Sequence, residues 1–193
     1  DLPGSAAATA FVGWYNAHPD YADHDFDLSS ERAVVIGNGN VAMDVARMLA
    51  LTDHELRQTD TADHAIELLD AKQIREIVVL GRRGPVQAAF TNPEIKELGE
   101  MEDADVIVDP ADVELDPASA AFLESDEVDK TTRVNVETLR EFSQRTPAGK
   151  HQRIVLRFLA SPVEIKGDGK VESIVIGRNE LVEEGGSLRA KDT

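Results

Sequence analysis

The chain has 193 residues, of which 41% are hydrophobic and 30% are charged, which suffices for one sizeable core or a core with a small appendage. Its formal net charge of −17 disfavours binding to nucleic acid, and no apolar run reaches the ~20 residues that a membrane span needs. Cysteine is absent, which excludes disulfides and thiolate sites and suits the reducing cytoplasm.

Residues 1–29 are predicted to be irregular, because Pro3, Gly4, Gly13 and Pro19 interrupt them and several aspartates are present. Interleaved aromatic side chains are expected to pack this stretch as a lead-in segment or linker. The start at Asp1 and the open-ended last residues suggest a domain excised from a longer chain. Trimming for expression is the alternative explanation.

Alternating strands and helices are predicted for residues 30–110. Buried strands are expected at 32–37 and 75–81, and within 104–110. Helices are expected at about 40–51, 63–72 and 93–101. A β-α-β-α-β order of this kind indicates a parallel sheet with right-handed crossovers.

The alternation breaks at residues 109–149, which are acidic at first and then helical, and which we interpret as a helical insertion. Four further stretches have the pattern of antiparallel strands: QRIVLRFL (152–159), SPVEIKG (161–167), VESIVIGRNEL (171–181) and SLRAKD (187–192). The predicted fold is therefore an α/β parallel sheet flanked by helices, with an added antiparallel β-meander.

A glycine-rich loop joins the first strand to its helix. Gly37, Gly39 and Ala42 fit the pattern G-x-G-x-x-G/A, in which the first glycine permits a tight turn and the second admits a pyrophosphate close to the backbone. The helix amino end then offers free N–H groups to phosphates, and Asn38 and Asn40 add amide donors. The simpler alternative is a tight turn capped by Asn40. Because the loop follows a buried strand and opens an amphipathic helix, nucleotide binding is favoured.

Arg82 and Arg83 follow the second strand, where the adenosine ribose of a bound dinucleotide should lie. An acidic residue there holds the ribose 2′-hydroxyl of NAD, whereas two guanidinium groups can clamp a 2′-phosphate. The pair therefore favours NADP over NAD, with solvated surface charge as the alternative. The second strand ends about 45 residues after Gly37, whereas the standard motif places its acidic residue only about 20 residues further on. A longer crossover, residues 52–72, accounts for the difference.

The chain resembles the ferredoxin–NADP reductases of the adrenodoxin-reductase type, in their bacterial branch. The resemblance covers nearly the whole chain and rests on the strings FVGWYNAHPD (11–20), VVIGNGNVAMDVARML (34–49), GRRGPVQAAFTNPEIKEL (81–98), LRFLASPVEIKG (156–167) and IGRNEL (176–181).

The resemblance implies a flavoenzyme with two domains, in which NADPH passes a hydride to FAD and the flavin reduces a ferredoxin. It assigns Asn38, Gly39, Asn40 and Val41 to the pyrophosphate loop of a Rossmann-like NADP-binding domain. It assigns Arg82 and Arg83 to the 2′-phosphate, and Glu94 to an acid of the NADP site. Pro93 departs from the family pattern, although proline suits a first helical turn. The family's FAD-type glycine motif is absent from this sequence.

The sequence thus predicts residues 30–193 as an NADP(H)-binding domain and 1–29 as a lead-in from the FAD domain. We expect the chain to belong to an NADP-dependent oxidoreductase and to be inactive alone, since the flavin carries the chemistry. No catalytic residue and no metal site is predicted within it. A Rossmann-like interaction module without ligand is the alternative. A complete small dehydrogenase is less favoured, because no Tyr-x-x-x-Lys motif is present.

Overall fold

The structure, a computed structural model, describes residues 2–193, so Asp1 of the predicted lead-in lies outside it. The helices are α1 (Ala8–Tyr15), α2 (Asn40–Ala50), α3 (Asp53–Leu56), α4 (Asp63–Asp70), α5 (Asn92–Leu98), α6 (Pro117–Glu124) and α7 (Lys130–Gln144). The strands are β1 (Arg32–Ile36), β2 (Glu76–Leu80), β3 (Ala104–Val108), β4 (Gln152–Arg157), β5 (Ala160–Lys166), β6 (Ser173–Glu184) and β7 (Ser187–Asp192). Within residues 2–193, no helix is long and apolar enough to cross a bilayer.

Two sheets make up the β-structure. The first is parallel, with strand order β1-β2-β4-β3, and the second is antiparallel, with order β5-β6-β7. Helix α2 packs against β1, β2 and β4, while α7 packs against β3 and α5. The predicted fold class, a parallel sheet flanked by helices with an added antiparallel β-meander, is confirmed.

Strand β4 differs from its predicted role. It lies inside the parallel sheet between β2 and β3, although its sequence pattern predicted an antiparallel strand. Its alternation arises because Ile154 and Leu156 face the core while Arg153 and Arg157 lie on the other, more open face. Residues 109–149 are consequently the crossover from β3 to β4, and not an insertion into the fold.

The lead-in segment also differs from its prediction, because residues 8–15 form helix α1. Gly13 lies inside that helix, where a Cβ atom would come within 2.4 Å of the Tyr21 ring. The expected aromatic packing is present: the Phe26 ring lies 5.1 Å from the rings of both Phe11 and Trp14. Helix α1 packs against α2 and α4 and shares their core.

One face of the parallel sheet forms the main core. Ile77, Val79, Ile154 and Leu156 are buried there, against the apolar side of α2. On the opposite face, Glu76 pairs with arginines from both neighbouring strands, Arg32 on β1 and Arg153 on β4. Burial raises the pKa of Glu76, but the two guanidinium groups outweigh it and hold that pKa below its usual value. Among residues 2–193, β1 has a strand partner on one side only.

Gln152 begins β4 and is a buried polar side chain of this core. Its Nε2 donates to the carbonyl oxygens of Leu49 at 3.1 Å and Ile74 at 2.8 Å. The amide thereby joins the carboxyl end of α2 to the segment that leads into β2.

Replacing Gln152 with leucine is expected to leave both carbonyl oxygens buried and unpaired, and to lower the free energy of unfolding by about 2–3 kcal/mol. Urea denaturation measures the change. The matched control is Gln144→Leu at the exposed end of α7, expected to change stability by less than about 0.5 kcal/mol. Equal effects of the two substitutions would contradict the assignment of Gln152 as a structural link.

Candidate functional site

The glycine-rich loop leaves β1 at the carboxyl edge of the parallel sheet. Gly37 has φ +117°, a conformation that side chains rarely adopt, and its N–H donates to the Leu80 carbonyl oxygen at 2.8 Å. Gly39 has φ −93° and ψ 179°, which any residue can adopt. At both glycines a Cβ atom would meet no atom within 4 Å. Gly37 is therefore required by the turn, whereas Gly39 borders open space.

Helix α2 begins without a side-chain cap. Gly39 is the N-cap residue, and no side chain among residues 2–193 accepts a hydrogen bond there. The alternative of a turn capped by Asn40 is wrong, because its Oδ1 accepts from the Thr91 N–H at 2.8 Å instead. The first-turn N–H groups and the positive end of the helix dipole are thus available to an anion.

The two residues after Asn40 differ in exposure. Ala42 is buried, as expected for a position where the helix approaches the sheet closely. Val41 is 56% exposed although it is apolar. Its side chain helps to line a cleft of about 290 Å³ at the amino end of α2.

Asn38 lies between the glycine-rich loop and the loop that follows β2. Its carbonyl oxygen accepts from the Ala89 N–H at 3.3 Å, and its Nδ2 is buried without a hydrogen-bond partner in the described chain. A Cβ atom on Gly81 would come within 2.7 Å of that Nδ2. The two loops are therefore in direct contact, and the amide group that joins them is shielded from solvent.

Arg82 and Arg83 follow β2 after one residue, Gly81, on the same edge of the sheet as the glycine-rich loop. Both side chains are exposed, and neither forms an ion pair or side-chain hydrogen bond within residues 2–193. Two guanidinium groups without a carboxylate partner therefore lie side by side at this edge of the sheet. They provide a local positive site for an anion.

Glu94 lies in α5, near the amino end of α2. It lines the 290 Å³ cleft together with Val41 and Asn40, and it accepts a hydrogen bond from the Thr91 hydroxyl. Pro93 occupies the first turn of α5, where its missing N–H costs nothing. The predicted site residues are thus adjacent: Gly37, Asn38, Gly39, Asn40, Val41 and Ala42 in one loop and helix turn, with Arg82, Arg83 and Glu94 in neighbouring segments.

Two asparagines that the sequence did not mark hold the segment before Glu94. Asn92 Nδ2 donates to Asn135 Oδ1 at 2.7 Å, and Asn135 Nδ2 donates to the Phe90 carbonyl oxygen at 2.7 Å. Asn135 is buried on α7. No local pattern signals this pairing, because it joins residues 43 positions apart.

A cluster of polar side chains also connects helix α2 to its neighbours α1 and α5. The Tyr15 hydroxyl donates to Asp44, and Arg47 binds Asp44 at 2.9 Å and Glu97 at 3.7 Å. Burial, followed by the bond to Asp44, raises the pKa of Tyr15 well above its ordinary value. These contacts fix α1 and α5 relative to α2.

No protein-family model matches the chain. NADPH-ferredoxin reductase FprA of Mycobacterium leprae is 55% identical over 195 residues, which cover 100% of this chain and 42% of that protein. The mitochondrial NADPH:adrenodoxin oxidoreductase of Arabidopsis thaliana is 39% identical over 150 residues, or 77% of this chain and 30% of that protein.

A solved structure, Mycobacterium tuberculosis FprA in complex with NADPH, matches with a TM-score of 0.93 and 53% identity, over 100% of this chain and 42% of that one. The resemblance found in the sequence is confirmed. The chain spans less than half the length of these relatives.

Gly37 and Gly39 make a matched pair for testing the loop. Gly37→Ala is expected to lower the free energy of unfolding by about 1–3 kcal/mol, because alanine disfavours the positive φ. Gly39→Ala is expected to change it by less than about 0.5 kcal/mol, since its backbone is extended and the space is open. Thermal and urea denaturation measure both. Equal losses would contradict the different backbone roles.

The raised pKa of Tyr15 makes stability depend on pH in alkali. Because the folded-state pKa exceeds the ordinary value of about 10, the contribution of Tyr15 is complete below pH ~10 and is lost as the pH rises further. Tyr15→Phe should cost about 1–2 kcal/mol at pH 7, reduced by solvent at the part-exposed Asp44, and should flatten the loss of stability above pH ~10.

The control is Tyr21→Phe, because the Tyr21 hydroxyl makes no hydrogen bond within residues 2–193. Unfolding free energies are measured from pH 7 to 11. An alkaline loss as steep in Tyr15→Phe as in the unsubstituted chain would refute the role of Tyr15.

Proposed function

We propose that this chain, a member of the NADPH-ferredoxin reductase family, binds NADP(H) at the carboxyl edge of its parallel sheet. The diphosphate lies on the first-turn N–H groups of α2, at Gly37–Ala42, and the 2′-phosphate lies between Arg82 and Arg83. The observation that carries the proposal is the combination, on one edge, of an uncapped helix end and two arginines without acidic partners in the described chain.

The residues present fit a dinucleotide of this kind. Open space borders Gly37 and Gly39, so phosphate oxygens can approach the backbone there without a steric clash. The Asn38 amide group packs against Gly81 and so joins this loop to the loop that follows β2. Glu94 and Val41 are proposed to contact the remainder of the ligand from the cleft that they line.

Bound NADPH supplies a hydride, and the role proposed for this chain is to hold and orient the dinucleotide so that the hydride reaches FAD. We propose that the FAD lies on the part of the longer relatives that this chain does not span, and that the flavin then reduces a ferredoxin. The chain alone is therefore expected to bind NADP(H) without reductase activity. Its lack of cysteine supports a cytoplasmic location.

The domain limits are part of the same proposal. Residues 30–193 form the NADP(H)-binding domain, and residues 1–29 lead into it from the FAD domain and pack helix α1 against its core. Support comes from the parallel sheet and glycine-rich loop, both of which begin after residue 30.

The nucleotide proposal is tested by comparing 2′-phospho-AMP with AMP in calorimetric titrations of the purified chain. The unsubstituted chain should prefer 2′-phospho-AMP. Arg82→Ala should weaken that ligand by about 1.5–3 kcal/mol, as for a hydrogen bond to a charged group, and should leave AMP nearly unchanged.

The matched control is Arg75→Ala. Arg75 is exposed and immediately precedes β2, at the opposite end of the strand, so the variant changes the net charge equally. Equal affinities of the unsubstituted chain for the two ligands would refute the 2′-phosphate site. Binding of neither would favour the interaction module without ligand.

A further inference from the structure

We infer that the β-meander sets the preference for a 2′-phosphorylated nucleotide, and that Asn179 on β6 is the positioning residue through which it acts. The inference rests on the proposed function and deepens it, because it assigns specificity to a side chain 97 residues away from Arg82. The meander is defined here as β5, β6 and β7.

The arginine loop is defined here as residues 81–83, which follow β2. Each of its three carbonyl oxygens accepts a hydrogen bond from the meander or from Leu159, the residue that leads into it. The Gly81 oxygen accepts from the Ala160 N–H at 3.0 Å, and the Arg83 oxygen accepts from the Leu159 N–H at 3.1 Å. Between them, the Arg82 oxygen accepts from Asn179 Nδ2 at 2.8 Å. Every peptide oxygen of the arginine loop is therefore directed toward the meander and the residue that precedes it.

This arrangement matters for an anion because carbonyl oxygens repel phosphate, whereas guanidinium groups attract it. An oxygen that accepts a bond from the meander cannot turn toward a ligand on the other side of the loop. Both arginine side chains are exposed and have no ion-pair partner within residues 2–193. The meander thus fixes the backbone from which two otherwise free guanidinium groups extend.

Asn179 is the only side chain among the three donors. It is 6% exposed, and its Nδ2 also donates to Ser161 Oγ at 2.7 Å, while its backbone N–H donates to the Leu159 oxygen at 2.9 Å. One residue therefore binds the arginine loop, the start of β5 and the junction between β4 and β5. Its Oδ1 is buried without a partner in the described chain.

Leu159 supports the same conclusion from the backbone. Its φ is +51°, an unfavourable conformation for a leucine, at the point where the chain leaves the parallel sheet. Its N–H holds Arg83 and its oxygen is held by Asn179, so both of its polar backbone groups are used at this junction. Strained residues of this kind persist where surrounding contacts determine the position of a functional segment.

The test measures the ratio of the affinities for 2′-phospho-AMP and AMP by calorimetric titration of the purified chain. Asn179→Ala removes the donor to Arg82, and is expected to weaken 2′-phospho-AMP about five- to tenfold, as for one lost hydrogen bond, with AMP changed less than about twofold. Asn179→Asp, which keeps the shape and replaces the donor with an acceptor, should reduce the ratio at least as much.

The matched control is Ser161→Ala, which removes the other partner of the same amide and leaves the bond to Arg82 in place. It is expected to retain the unsubstituted ratio even where the melting temperature falls. Circular dichroism identifies the folded variants, and the inference is judged on any Asn179 variant that folds. A fall in melting temperature without a change in ratio is the result of a purely structural role.

The outcomes separate the inference from the function on which it rests. If the unsubstituted chain does not distinguish the two ligands, both the 2′-phosphate site and the role of Asn179 are overturned. If it does, and a folded Asn179 variant keeps the same ratio or loses both ligands equally, only the role of Asn179 is overturned.

Discussion

The amino end of α2 has backbone donors that no side chain in the described chain takes up, and the rest of the site is built around this condition. A helix end left in this way costs free energy unless water or a ligand pairs with it. Asn40 could have capped the helix, but its side chain holds Thr91 instead. The left-handed turn at Gly37 and the open space over Gly39 keep the approach to these donors clear.

Contacts from four directions keep this end of the helix in place. Tyr15 braces α2 through Asp44, Asn135 fixes the segment that carries Glu94, and the contact of Asn38 with Gly81 sets the spacing between two loops. From the meander, Asn179 fixes the second of these two loops through the Arg82 carbonyl oxygen. These residues belong to different helices, strands and loops, so the geometry of the site depends on the whole fold. The short segments at the site itself supply only the groups proposed to contact the ligand.

Sequence reasoning succeeded where the determining interactions are local. The strand, the turn at Gly37 and the helix from Asn40 are encoded by neighbouring residues, so their order and bounds were predictable to within one or two positions. The place of Arg82 followed from the end of β2 in the same way. Helix α1 was missed because Gly13, normally a helix breaker, is required there by the close approach of Tyr21.

The remaining features depend on contacts between distant residues, which no window of the sequence contains. Strand β4 alternates like an antiparallel strand because its outer face carries arginines, and only pairing with β2 and β3 makes it parallel. The roles of Asn135 and Asn179 likewise arise from partners 45 and 97 positions away. An isolated asparagine gives no sign of such a partner.

The position of β1 at the border of the parallel sheet has a further consequence for the behaviour of this chain in solution. Its outer row of peptide groups has no strand beside it within residues 2–193, and Ile36 is 55% exposed at its end. An uncovered strand of this type is a template onto which another extended segment can add.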